Sequence, residues 1–102
     1  MRVKLPHLNE WNDARRAHAE LYAERLCGVH TPCTRDGCTH VHHLYVVRAP
    51  RRDALAAHLK SLGIATALHY PAPVHQQPAY RALATHPLPV TEAVCNDILT
   101  LP

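Results

Sequence analysis

Glycine is scarce in this sequence, with three residues in 102. A phosphate-cradling loop needs several glycines close together, because the backbone must approach its ligand with no Cβ in the way. No P-loop, G-x-G-x-x-G or G-x-S-x-G pattern occurs, which excludes glycine-rich nucleotide cradles and nucleophile-elbow hydrolases. Long apolar runs are missing too. Nothing approaches the roughly 18 apolar residues of a spanning helix, and the start, MRVKLPHLNEW, has no apolar h-region. No membrane partner and a cytoplasmic location are therefore expected. Charge of one sign is not concentrated either. The net charge is +3, and Arg15-Arg16 and Arg51-Arg52 are isolated pairs without interleaved aromatics. No nucleic-acid partner is expected from them.

What is present suits one small soluble domain: 47% of residues are hydrophobic and 19% charged. A chain of this length lies near the lower end of comfortable core size. Residues 6–27 read as an amphipathic helix, with Leu8, Trp11, Arg15, Ala19, Tyr22 and Leu26 at three- and four-residue spacings. Pro6 and Gly28 punctuate it. After a turn-rich loop, residues 40–49 (HVHHLYVVRA) are β-branched and aromatic enough for a strand with apolar groups on both faces. Pro50 and Gly63 bracket a second helix carrying Leu55, Leu59 and Leu62.

Residues 64–70 (IATALHY) predict a second strand, which must end where Pro71 and Pro73 cannot donate to a ladder. A short helix is expected from Pro78 to about Leu83. Pro89 opens a last helix with Val90, Ala93, Val94 and Ile98 inward, and ILTLP looks like the beginning of a third strand. The order implies a two-layer α/β sandwich around a small sheet. Two strands alone make a marginal sheet, so the chain reads as part of a larger protein.

Three groups of residues could carry chemistry. Cys33 and Cys38 have C-x4-C spacing and are followed by His40 and His42, a conceivable Cys2His2 zinc set for a small interaction module. The competing reading is an ordinary loop with two thiols, leading into a histidine-rich strand. Cys95 lies beside the apolar stripe of the last helix and reads as a buried, inert thiol rather than a nucleophile. The third group is HYPAPVHQQPAY, residues 69–80. His69 and Tyr70 end a strand, where α/β sheets commonly place ligand contacts. His75, Gln76 and Gln77 follow on a proline-stiffened arm, adding imidazole and amide groups suited to hydroxyls or phosphates.

LPHLNEWNDARRAHAELYAERL, HVHHLYVVRAPRRDALAAHLKSLGI and ATALHYPAPVHQQPAYRAL, in this order, resemble the C-terminal domain of the DegT/StrS sugar aminotransferases. These are pyridoxal-phosphate enzymes of fold type I. The resemblance implies the small domain of that fold, a mostly antiparallel sheet with flanking helices. It also implies amino transfer, usually from glutamate, to the keto carbon of a nucleotide-linked sugar. The family's large N-terminal domain, which holds pyridoxal phosphate on a lysine, would be the missing partner, and the full-length family is homodimeric. Neither Lys4 nor Lys60 matches the family's lysine motif, so residues 1–102 are expected to be one truncated domain. It would bind no cofactor or metal itself, hold no catalytic residue and be inactive alone. Carried over residue by residue, His69 and Tyr70 would meet substrate at the pocket mouth, while His75 and Gln77 line or brace the same wall. His43 would be structural.

Overall fold

A computed structural model describes residues 2–102. The first helix, α1, spans Leu8–Arg25 and is entered through a 3-10 turn at Leu5–His7 that contains Pro6. Glu10 in its first turn and Arg25 in its last complement the helix dipole. The Leu26 N–H closes on the Tyr22 carbonyl at 2.9 Å. Gly28, at φ +74°, then reverses the chain in a conformation that side chains rarely adopt. The spacing of the apolar stripe is as expected, but its use is uneven: Ala19 is buried, Tyr22 and Leu26 are half-buried, and Leu8 and Trp11 are exposed.

Strand β1 (Tyr45–Arg48) pairs antiparallel with strand β2 (Ile98–Leu101), in the register Tyr45↔Leu101, Val46↔Thr100, Val47↔Leu99 and Arg48↔Ile98. Each outer edge of this ribbon is extended by a single residue. Arg48 exchanges both backbone hydrogen bonds with His30, and Thr100 exchanges both with Ala67. One face of the ribbon carries Tyr45, Val47 and Leu99, which with Ala19 form the core. Val47 and Leu99 are 0% and 1% exposed. Helix α2 (Arg52–Ser61) lays Leu55 and Leu59 against the same cluster. The last helix, α3, spans Pro89–Asp97 and runs directly into β2.

Several expectations need correction. The strand expected over residues 40–49 begins only at Tyr45, because His42 takes φ +46° and donates its N–H to the Nδ1 of His40 at 2.7 Å. A residue turned this way cannot continue a pleated ladder. The strand expected over residues 64–70 shrinks to the bridge at Ala67. Residues alternate in the groups they direct outward, so Ile98 is the other candidate on β2, and its N–H goes to Val94 to close α3. The helix from Pro78 is one 3-10 turn, Arg81–Leu83. Ile98 is the first residue of β2 rather than part of a helix face, and Val90 is 76% exposed. The chain end does form a strand, as ILTLP suggested. The architecture is a small antiparallel sheet with helices packed against it.

Candidate functional site

The arm after Ala67 is held from β2. Two residues past the bridge, the Nδ1 of His69 lies 2.9 Å from the Thr100 hydroxyl. Thr100 is 5% exposed, and its backbone already holds Ala67 at 2.8 and 3.1 Å. Three hydrogen bonds to one buried residue therefore fix the chain from Ala67 to His69. The His69–Tyr70 peptide is cis, and the two rings meet edge to face with centroids 5.5 Å apart. Tyr70 is 69% exposed, so its phenol is presented to solvent and to any ligand.

Beyond Tyr70, Pro73 is buried and opens a 3-10 turn at Val74–Gln76. The turn is closed by the Gln76 N–H on the Pro73 carbonyl (3.0 Å) and the Gln77 N–H on that of Val74 (3.1 Å). His75 points its Nε2 at the Oε1 of Glu92, 3.0 Å away. The same oxygen accepts the backbone N–H of Leu88 at 3.1 Å, which caps the start of α3. The hydrogen bond from His75, then that from Leu88, holds the Glu92 carboxyl below its usual value of 4.5. Gln77 is half-buried, and its carbonyl accepts from the N–H groups of Tyr80 (2.9 Å) and Arg81 (3.0 Å). His69 and Tyr70 thus form a paired edge, while His75 and Gln77 tie down the arm behind it.

Sequence reasoning missed Thr100 and Glu92. Each left a signal: Thr100 is a polar residue inside the apolar run ILTLP, and Glu92 is an acid in the first turn of a helix opened by proline. Among the described residues, no group of three or more His, Cys, Asp or Glu side chains is placed to hold a metal ion. Cys33 and Cys38 are exposed, and the His40 and His42 rings tilt against each other at 4.3 Å. Instead of running on as a strand, the segment turns, with the backbone N–H of His42 donating to the imidazole of His40. Cys95 is half-buried, and its carbonyl accepts from Arg52 at 3.1 Å. His43 is exposed, and His42 beside it is the half-buried residue of the pair.

Comparison with known proteins gives this geometry a context. The model of the DegT/DnrJ/EryC1/StrS aminotransferase family matches residues 1–102. A "pleiotropic regulatory protein" of Geobacillus stearothermophilus is 45% identical over 98% of the chain, which spans 29% of that relative. The dTDP-3-amino-3,4,6-trideoxy-alpha-D-glucose transaminase of Streptomyces venezuelae is 41% identical over the whole chain, which spans 28% of it. Among solved structures, S. venezuelae DesV superposes with a TM-score of 0.92 at 42% identity, covering 99% of this chain and 29% of its own. An aminotransferase from Brucella abortus gives the same TM-score at 33% identity, covering 100% and 28%. The chain therefore spans less than a third of the length of these relatives, and it belongs to the DegT/DnrJ/EryC1/StrS aminotransferase family.

Proposed function

We propose that residues 1–102 form the C-terminal small domain of a pyridoxal-phosphate-dependent aminotransferase that acts on nucleotide-linked keto sugars, with glutamate as the amino donor. The observation that carries this reading is the likeness, over 98–100% of the chain, to less than a third of transaminases whose names specify dTDP- and UDP-linked sugars. In the whole enzyme an N-terminal domain supplies the cofactor site, the protein is a cytoplasmic homodimer, and the sheet seen here completes one layer of a two-layer sandwich.

Pyridoxal phosphate does not fit the residues of this chain. Both lysines, Lys4 and Lys60, are exposed, and no glycine-rich run is present to approach a phosphate. No chemical step is assigned to this chain. Its part is to shape the substrate pocket: His69 and Tyr70 as hydrogen-bonding groups at the mouth, His75 and Gln77 as the brace of that wall. The pairings of His69 with Thr100 and of His75 with Glu92 support this division of roles.

The test is a chimaera in which this chain replaces the matching segment of the S. venezuelae transaminase. Glutamate-dependent amination of a dTDP-linked keto sugar is expected from the chimaera and not from the chain alone. A folded, cofactor-loaded chimaera without that activity, or activity from the isolated chain, would overturn the reading.

A further inference from the structure

Resting on the proposed pocket wall, we infer that Thr100 is a positioning residue that sets the tautomer of His69, so that His69 meets its ligand as an N–H donor through Nε2. The ligand atom is then an acceptor oxygen of a phosphorylated sugar. The argument begins with the hydroxyl of Thr100. It belongs to a residue 5% exposed in the middle of β2, and its side-chain hydrogen bond is to the His69 Nδ1 at 2.9 Å. A neutral imidazole has one nitrogen that donates and one that accepts. If Nδ1 carried the proton, the Thr100 oxygen would accept and its own buried O–H would be left without an acceptor. Such an unmade bond costs more than an ordinary hydrogen bond contributes. With the proton on Nε2, the Thr100 O–H donates to Nδ1 and both groups are satisfied. The bond made by one ring nitrogen thus decides the state of the other.

Position is fixed by the same residue. The two backbone hydrogen bonds between Thr100 and Ala67 lock the register two residues before His69. Ring orientation and tautomer are therefore set from one point in the sheet. Nε2 is the nitrogen left to meet a ligand, and the Tyr70 phenol beside it can either donate or accept. An incoming oxygen with lone pairs suits this edge, whereas a group that only donates finds no partner at His69.

Long-range 15N–1H spectra of the uniformly labelled chain, in mildly alkaline solution, read the tautomer directly. A His69→Gln variant identifies the signals. We expect a single tautomer, with His69 Nδ1 unprotonated and Nε2 protonated. Thr100→Val should give averaged shifts of two exchanging tautomers, and Thr100→Ser should restore the parent pattern. A protonated Nδ1 in the parent overturns the inference, as does an unaltered tautomer in Thr100→Val. Should Thr100→Val fail to fold, the parent and Thr100→Ser spectra still decide the question.

In the chimaera, Thr100→Val should raise KM for the sugar nucleotide about threefold to tenfold, the range of one hydrogen bond, with kcat nearly unchanged. An equal rise in the inhibition constant of dTDP assigns the oxygen to the diphosphate. An unchanged constant assigns it to the sugar. Unaltered KM in Thr100→Val overturns the role of the donor. The spectra need no activity, so an inactive chimaera would sink the proposed function without touching the tautomer.

Discussion

Below neutral pH, two side chains held under their ordinary values make the stability of this chain depend on pH, and they act in different windows. His42 is held below the usual imidazole value of 6.5, first by burial, then by the neighbouring His40 and Arg16. The native state therefore binds fewer protons there than the unfolded chain. Stability is full above the ordinary value and falls as pH drops through it. Glu92 is held below 4.5 by its bonds to His75 and Leu88, so its contribution is present above that value and lost as pH falls through the lower folded one. Thermal unfolding followed from pH 8 to about pH 3 should show two successive losses, near the ordinary values of the two groups. His42→Asn removes the first while keeping a residue that tolerates φ +46°. Glu92→Gln removes the second and lowers the melting temperature at neutral pH. A parent profile without the upper loss would show that His42 is not held neutral by the fold.

Among the elements, the helices were legible because their signals are local. A 3.6-residue period, a proline at the start and a glycine past the end found α1 and α2 to within a few residues. The strands were not, because a strand ends where its partner runs out of outward-facing groups, and that depends on another part of the chain. Residues 64–70 have the composition of a strand, yet they meet a β2 whose Ile98 N–H is spent on α3. The histidines at 40–43 look like strand residues until His42 turns left-handed. The candidate wall was half legible. HYPAPVHQQPAY drew attention by its own content, whereas Thr100 and Glu92, which hold it, lie 31 and 17 residues from their partners. The same distinction predicts which substitutions matter. Leu99→Ala empties a site 1% exposed in the shared core and should cost about 2–5 kcal/mol, a large share of a small domain's stability. Leu83→Ala, at 75% exposure, should leave urea unfolding of the isolated chain nearly unchanged. Equal effects of the two would mean that the core lies elsewhere.

At the scale of the whole molecule, the dimensions argue for a covering partner. The radius of gyration is 16.4 Å, against about 13 Å for a compact domain of 100 residues. The accessible surface is 8292 Å², where a compact monomer of this mass would expose about 5,800 Å². The excess is more than one partner commonly contributes to a stable protein–protein interface, about 800 Å². Apolar side chains account for part of it in two places. Leu5, in the turn before α1, and Leu8 and Trp11 at its start form one, and Val74, Tyr80, Leu83 and Leu88 border a groove beside the arm. Leu8 and Trp11 belong to the stripe read from the sequence, and all seven side chains remain largely exposed in the described chain. If they face the rest of the aminotransferase, hydroxyl-radical footprinting should separate them from the core residue by residue. In the isolated chain, Trp11, Tyr80 and Leu83 should be oxidised readily and Val47 and Leu99 hardly at all. In the chimaera, Trp11, Tyr80 and Leu83 should be protected several-fold, while Val47 and Leu99 stay as they were. Undiminished oxidation of both patches in an active chimaera would show that the excess surface is not where the larger protein closes on this domain.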